Sequence, residues 1–333
     1  MSVRCRTAGV TVRIDSANPA WLDLAREACA GQEIEPGPCD VDVFIAATGG
    51  PDRAGLHPVT RGASAGAGGL LLTDACGSGL DLHLWISDET LHVIAWPHPT
   101  WQHRGLGALA PDRRILLHRA ALIQYPALWW AGVRGLVPLH VSAARVGGIG
   151  VLLAGPGGVG KSTLLATLAP TDIAVSDNVC AADARTVHGL LEPTRAEQGT
   201  GRRMPHGRRE QPWERRTPSL APQRIIVLRR GGTGALQVHR TAPDEAAREL
   251  TAGTYAAGEL RRYWAFAATL ALGLGRGPAH PSISTVSDTL ARSVPCYEAV
   301  LGARGTTLDE IVARCAGGTG QMEAAGQKGR RSR

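Results

Sequence analysis

The first 110 residues alternate short β-rich runs with glycine and proline, a pattern typical of strands joined by turns. The runs that predict strands are VDVFIAA (41–47), GLLLT (69–73), LDLHLWI (80–86) and ETLHVIAW (89–96). No side chains in this region have catalytic spacing. We therefore predict a small N-terminal α+β domain of unknown role over residues 1–112.

The pattern changes near Arg113, where the apolar runs lengthen. ILLHRAALIQYPALWWAGVRGL (115–136) predicts a buried helix, because charged residues and a histidine interrupt a run that approaches membrane-spanning length. Two strands follow, PLHVSAARV (138–146) and GIGVLLAG (148–155), joined at a Gly-Gly turn. The predicted second domain covers residues 113–316.

The second of these strands leads directly into a glycine-rich loop. An apolar helical run, TLLATLA (163–169), and a strand, DIAVSD (172–177), come next. Strand, loop, helix and strand is the order that a phosphate-binding loop requires. Farther along, the elements we predict are a mobile loop (188–216), a strand (224–230), helices (243–275 and 307–316), a strand (293–301) and a disordered basic tail (317–333).

Composition limits the classes of function. The chain has 333 residues and a net charge of +7, and the excess lies in two segments, 202–216 and 318–333. The remainder is balanced, so we expect no broad nucleic-acid-binding surface. The seven cysteines have no metal-binding spacing, and no stretch has the apolar length of a signal region or membrane span. These features predict a soluble cytoplasmic protein with reduced thiols.

The loop at 155–163 matches the phosphate-binding pattern GxxxxGK[ST]. Its glycines let successive N–H groups face phosphates, its lysine reaches the β- and γ-phosphates, and its serine hydroxyl binds Mg²⁺. Lys161 is one of only two lysines among 36 basic residues, and a compact ammonium fits between phosphate groups. The predicted nucleotide-binding residues are Gly155, Pro156, Gly157, Gly158, Val159, Gly160, Lys161, Ser162 and Thr163.

Asp177 ends the strand that follows this loop and its helix. A carboxylate there can hold Mg²⁺ or accept the proton of an attacking hydroxyl, although a turn or cap aspartate is the ordinary alternative. We predict that Asp177 is functional because the topology places it beside the phosphates.

The segment from Leu139 to Asn178 resembles the catalytic core of the bacterial HPr serine kinase/phosphorylases and of HPr-kinase-like proteins, including those of peptide natural-product pathways. The resemblance rests on His140, LLAGPGGVGKST and VSDN. It implies an α/β P-loop core related to the phosphoenolpyruvate carboxykinases, with ATP and Mg²⁺ as cofactors. It also implies that Lys161, Asp177 and His140 are catalytic, although His140 is equally consistent with a histidine packed in the core.

The sequence departs from this family in three ways. Asn178 stands where the family has a second aspartate, and asparagine cannot accept a proton. Glu192 and Arg195 are the nearest counterparts of a magnesium-binding E-x-R-G motif, with the spacing changed by one residue, so Glu192 joins Ser162 and Asp177 as a predicted metal ligand. The arginine loop of the phosphorylases is not recognisable, and we expect no phosphorylase activity.

An arginine-rich stretch leaves three interpretations open. It could close over the nucleotide, dock an acidic peptide or protein, or be a solvated, disordered insert. Its arginines are Arg202, Arg203, Arg208 and Arg209.

We therefore predict a kinase that transfers the γ-phosphoryl group of ATP to a hydroxyl of a peptide, carrier protein or small molecule. The alternatives are a nucleotide-binding regulatory protein without transfer and an NTPase. ATP versus GTP and a homo-oligomeric state are left open by the sequence, and we predict no membrane partner.

Overall fold

The computed structural model describes residues 1–29, 31–196, 201–204, 207–231, 234–278, 280–302 and 305–317. The chain forms two compact units, each assembled from separate segments. The first unit consists of Met1–Pro138, His188–Glu214 and Gly258–Ser282, and the second consists of Leu139–Val187, Arg215–Ala257 and the residues from Ile283 onward. The predicted domain boundaries remain predictions. The predicted tail lies, from residue 318 onward, outside the described residues.

The first unit contains an eight-stranded sheet. Its strands are β1 (Ser2–Thr7), β2 (Val10–Ser16), β3 (Val41–Ile45), β4 (His57–Thr60), β5 (Ala63–Gly66), β6 (Gly69–Leu72), β7 (Leu80–Ser87) and β8 (Thr90–Pro97). The strand order is β1-β2-β3-β8-β7-β6-β5-β4, and β3 runs parallel to both of its neighbours. The four strands predicted in this region are confirmed.

The helices lie in both units. In chain order they are α1 (Pro19–Cys29), α2 (Trp101–Leu109), α3 (Pro111–Arg119), α4 (Tyr125–Val133), α5 (Lys161–Leu165), α6 (Pro243–Ala256), α7 (Arg261–Leu274), α8 (Ile283–Ser293) and α9 (Leu308–Gly317). A π-helical turn, Ala120–Gln124, joins α3 to α4 just before Pro126, which lacks the N–H that an α-helical bond would need. In the part of the chain that the structure describes, no helix has the length and apolar character to cross a membrane.

The remaining strands are mostly short. They are β9 (Val137–Leu139), β10 (Ser142–Val146), β11 (Ile149–Ala154), β12 (Ile173–Ser176), β13 (Cys180–Ala182), β14 (Val187–Gly189), β15 (Thr194–Ala196), β16 (Arg209–Gln211), β17 (Ser219–Leu220), β18 (Arg224–Arg230), β19 (Gln237–Arg240) and β20 (Cys296–Leu301). The second unit has a six-stranded sheet of order β12-β10-β11-β18-β20-β19. In it, β18 runs parallel to both β11 and β20, so the protein is a mixed α/β protein with mixed sheets.

The sheet of the second unit is built around β11, a buried strand that forms a hairpin with β10. Gly147 and Gly148 connect the strands with φ angles of 54° and 84°, as a tight hairpin turn with two left-handed residues requires. Val151 to Ala154 of β11 are fully buried, which is typical of a strand covered on both faces. The predicted hairpin and its Gly-Gly turn are confirmed, but its first strand begins at Ser142 rather than at 138.

Several elements differ from the prediction. The strand predicted at 138–146 is two strands in different sheets, and the helix predicted at 243–275 is two helices, α6 and α7. The helix after the glycine-rich loop ends at Leu165, because the Thr167 hydroxyl donates to the Leu164 carbonyl and Pro170 cannot continue the helix. The segment predicted as a mobile loop contains a strand pair, with Thr194–Ala196 antiparallel to Arg209–Gln211. The short helix and the strand pair depend on polar side-chain contacts and on Pro170, which a hydrophobic pattern does not register.

Candidate functional site

Three strand ends lie at one edge of the second unit's sheet. β10 runs antiparallel to both β11 and β12, with Ser142 opposite Leu153 and Ala143 opposite Ser176. The carboxyl ends of β11 and β12 therefore lie at the same edge, about 10 Å apart across two strand spacings. We call this the loop edge, because the glycine-rich loop leaves β11 there.

The loop at 155–160 has the backbone that its glycines predict. Gly155 and Gly160 have φ angles of 140° and 122°, and a Cβ atom on Gly155 would lie 2.9 Å from the carbonyl oxygen of Leu228. Beside Gly157 and Gly158, no described atom lies within 4 Å of where a Cβ atom would stand. The loop is thus tight at its base and open at its tip.

Lys161 is held against this loop. Its side chain is buried, and its ammonium group donates to the carbonyl oxygens of Gly155 at 2.7 Å and Pro156 at 3.2 Å. Because α5 has only five residues, its dipole adds little at its N-terminus. Any attraction for phosphate here comes mainly from loop N–H groups and the lysine charge.

Asp177, Asn178 and His140 are buried together at the loop edge. The Nε2 atom of His140 lies 3.1 Å from the Oδ1 atom of Asn178. The backbone N–H of His140 donates to the Thr254 hydroxyl at 2.9 Å, and the Ser142 hydroxyl donates to the carbonyl oxygen of Asp177. The last two hydrogen bonds fix the backbone at His140, just before β10, and at Asp177, just after β12.

Oxygen donors of the type that Mg²⁺ prefers belong to this same unit. Ser162 lies partly buried in the first turn of α5, and Asp177 follows β12. A hydroxyl and a carboxylate fit a magnesium ion that takes its remaining ligands from phosphates and water. Among the described residues, no group of three His, Cys, Asp or Glu side chains is arranged to hold a metal by itself.

Arg230 is a loop-edge residue that the sequence analysis missed. It ends β18, the parallel neighbour of β11, and its Nη2 atom donates to the carbonyl oxygen of Gly158 at 2.6 Å. The preceding Arg229 bonds instead to Glu249 at 2.6 Å and to Glu298 at 3.2 Å. Successive residues of a strand face opposite ways, and this alternation in RIIVLRR is the signal that could have identified Arg230.

The predicted magnesium ligand Glu192 belongs to the first unit, together with Arg195. The Nη2 atom of Arg195 lies 3.5 Å from Glu192, and its Nη1 atom lies 3.1 Å from Glu259. The structure therefore gathers His140, the glycine-rich loop and Asp177 in the second unit, whereas Glu192 is part of an ion-pair network in the first. The catalytic, nucleotide-binding and metal-binding roles of all these residues remain predictions.

Arg202, from the arginine-rich stretch, has carboxylate partners in the first unit. Its guanidinium contacts Asp112 at 2.9 Å and Glu27 at 3.0 Å. Burial lowers the pKa of Arg202, but hydrogen bonds to Glu27 and Asp112 outweigh burial and raise the pKa above its ordinary value. Arg202 is not the solvated side chain of a disordered insert, and its contacts favour a structural role.

Comparisons with known proteins add little to this description. No protein-family model matches the chain, and no curated protein matches it. Among solved structures, the HPr(Ser) kinase/phosphatase from Coxiella burnetii matches with a TM-score of 0.28 and 9% sequence identity, over 58% of this chain and 99% of that chain. A match at this TM-score is too weak to indicate a shared fold or a shared activity. The likeness to HPr kinases therefore rests on the motifs at residues 139–178.

Proposed function

We propose that the chain is an ATP- and magnesium-dependent kinase that transfers the γ-phosphoryl group to a hydroxyl. One observation carries the proposal: the loop with the GxxxxGK[ST] pattern and the carboxylate of Asp177 follow strands whose carboxyl ends share one sheet edge. Ligands of open α/β sheets bind at the carboxyl ends of strands.

Two cations of this site are suited to bind the phosphates. Lys161 donates to neutral carbonyl oxygens of the loop. When phosphate oxygens replace these acceptors, its hydrogen bonds become stronger because the new acceptors are charged. Arg230 bonds to the carbonyl oxygen of Gly158 in the loop. It can make the same exchange and stabilise the charge of the transferring group, as arginines do in other phosphoryl transfers.

Asp177 is the carboxylate that orients the acceptor. In the proposed step, the acceptor oxygen forms a bond to the γ-phosphorus while the bond from that phosphorus to the β–γ bridging oxygen breaks and ADP leaves. The hydroxyl proton passes to Asp177 or to solvent, because the amide of Asn178 cannot accept it. Magnesium held by Ser162 and Asp177 would neutralise phosphate charge.

His140 and Asn178 serve this arrangement as positioning residues. An Asn178 oxygen that accepts from Nε2 of His140 fixes the orientation of the ring. Thr254 fixes the His140 backbone from α6. Most of the rate enhancement would then come from positioning and electrostatics rather than from a strong base.

A second candidate is a regulatory protein that binds ATP without transferring phosphate. The observation in its favour is Asn178 itself, an amide in hydrogen-bond contact with His140 where the resembling family carries a carboxylate. Simple ATP hydrolysis is the third outcome that an assay must separate.

Complete accounting of products separates these three functions. The purified chain is incubated with γ-labelled ATP, magnesium and peptides or hydroxyl compounds encoded or made by its neighbouring genes. The kinase predicts labelled acceptor equal to the ADP formed, the NTPase predicts free phosphate without acceptor, and the regulatory protein predicts bound ATP and no product. Lys161→Ala should abolish the first two outcomes, and Arg248→Gln, a change of an exposed arginine paired with Asp244, should leave them unchanged.

A further inference from the structure

The first unit contains an arginine-lined cavity that the proposed kinase reaction does not use. Its volume is about 730 Å³, within the range of small-molecule sites. Four arginines line it, and they come from three separate places in the chain: Arg61 from the turn between β4 and β5, Arg113 from α3, and Arg261 and Arg262 from the start of α7. Their convergence on one cavity is unlike a run of charges along one exposed helix face.

These arginines have no carboxylate partners of their own. Across the described ranges of the chain, none of the four makes an ion pair within 4 Å, whereas Arg13, Arg134 and Arg276 do. Asp74 is the carboxylate in the lining, and it accepts from the Gly79 backbone at 2.8 Å and lies 3.2 Å from His103. The cavity therefore carries a positive charge that the described residues do not neutralise.

The position of Arg261 and Arg262 reinforces this charge. They are the first two residues of the fourteen-residue helix α7, whose first turn has no acidic residue. Cations at a helix N-terminus oppose the helix dipole, whereas an anion bound there is favoured by both the dipole and the arginines. The lining of the cavity includes the buried side chains of Ala63 and Phe266, so the cavity also offers an apolar surface.

We infer that this cavity binds a small polyanion, a molecule with at least two phosphate or carboxylate groups. Guanidinium groups bind both kinds of group through paired hydrogen bonds. All four arginines are exposed, so an anion can reach them without rearrangement of the chain. A cavity of this size suits a compact ligand better than an extended acidic peptide.

Calorimetric titration of the full chain with inorganic pyrophosphate and, separately, with citrate tests this site. The titrations use Lys161→Ala protein without magnesium at low ionic strength, so that the glycine-rich loop contributes least. We expect saturable binding of at least one anion with one site per chain. The double change Arg261→Gln/Arg262→Gln should weaken binding at least tenfold, and Arg61→Gln and Arg113→Gln should each weaken it severalfold.

The matched control is Arg248→Gln/Arg292→Gln, which removes two exposed arginines of the second unit and should leave the affinity unchanged. Circular dichroism confirms that each variant is folded. Absence of saturable binding, or equal affinity in the Arg261/Arg262 variant and the control, would overturn the inference. Tight binding of hexaglutamate peptide without binding of either small anion would replace it with a peptide-binding surface. These outcomes do not depend on whether the chain is a kinase.

Discussion

Arg229 and Arg230 show how neighbouring residues of the same type acquire different roles. Arg229 donates hydrogen bonds to Glu249 and Glu298, and these bonds raise its pKa, that to Glu249 most, against the opposing effect of burial. Both carboxylates hold its guanidinium in place. Within the described part of the chain, Arg230 donates instead to a neutral acceptor, the carbonyl oxygen of Gly158 in the loop. A cation bonded to a neutral acceptor is easier to recruit to phosphate than one already paired with two carboxylates.

The first prediction concerns Arg230. Arg230→Gln removes one charge-assisted hydrogen bond to the phosphates, and we expect kcat/KM for ATP-dependent transfer to fall about 10- to 100-fold. Steady-state kinetics measure the change, with Arg248→Gln as the control. A variant with the wild-type kcat/KM would show that Arg230 serves only to hold the loop.

The second prediction concerns His118 of α3. Its ring packs against Trp21 with centroids 4.9 Å apart, and its Nε2 atom donates to the Ser78 carbonyl at 3.1 Å. Burial lowers the pKa of His118 to about 4, from an ordinary value of 6.5. Between these values the unfolded chain binds a proton that the folded chain does not. The free energy of unfolding therefore falls as the pH drops below 6.5, by about 2 kcal/mol at pH 5 from this group.

Denaturant unfolding at pH 7.5 and at pH 5 measures this effect. His118→Gln keeps a donor for the Ser78 carbonyl but cannot be protonated, so its free energy of unfolding should depend less on pH than that of the wild type. Equal pH dependence in both proteins would mean that folding does not change the pKa of His118.

Among the elements, β16 and the strand pair it forms depend on a buried ion cluster. Arg119 of α3 is 2% exposed and bonds to Glu210 of β16 at 2.6 Å. Arg119 also lies 3.1 Å from Glu27 of α1. Charges this deeply buried are costly to leave without partners, so the cluster fixes where this segment of the first unit packs.

The third prediction tests that cluster. Glu210→Gln removes the carboxylate opposite Arg119, and we expect the free energy of unfolding to fall by about 3 kcal/mol because a buried guanidinium loses its closest partner. Chemical denaturation measures the loss. Glu214→Gln changes an exposed glutamate in the same segment and should alter stability by less than about 0.5 kcal/mol. A similar small effect for Glu210→Gln would contradict a structural role for the cluster.

Elements with strong local signals could be predicted from the sequence, and elements fixed by distant contacts could not. The hairpin at Gly147 and Gly148 and the strand RIIVLRR follow from turn residues and buried runs alone. The strand pair at 194–196 and 209–211 lies in a polar stretch, and it depends on the partners of Arg202 and Glu210 from α1 and α3. Such partners are separated by 90 residues or more, and hydrophobic periodicity carries no information about them.

At the scale of the whole molecule, the sequence predicts the parts of the candidate site but not the assembly of the units. The glycine-rich loop and Asp177 were expected at one sheet edge because strand, loop, helix and strand follow each other locally. The return of 188–214 and 258–282 to the first unit was not expected. The spacing of residues 192–195 therefore could not predict that Glu192 and Arg195 belong to the first unit, together with Glu259.

The fourth prediction concerns where nucleotide stabilises the molecule. A ligand that binds only the folded state raises its stability at the contacted segments. ATP with magnesium should therefore slow amide hydrogen exchange in peptides covering 155–163 and 176–178, with a smaller effect at 57–66. In Lys161→Ala protein the slowing at 155–163 and 176–178 should disappear, whereas slowing at 57–66, beside the arginine-lined cavity, should remain. Slowing of exchange confined to the first unit would place the nucleotide elsewhere.

The central claim is that Asp177 and the glycine-rich loop form one phosphoryl-transfer site. The most direct test is the single-turnover rate of phosphoryl transfer from ATP to an accepted hydroxyl substrate, compared between wild type, Asp177→Asn and Asp183→Asn. Asp183 is a turn aspartate of the same unit whose carboxylate accepts from backbone N–H groups. The account predicts that Asp177→Asn slows transfer about 100-fold or more, while Asp183→Asn stays near the wild-type rate. Transfer at the wild-type rate by folded Asp177→Asn protein would contradict it.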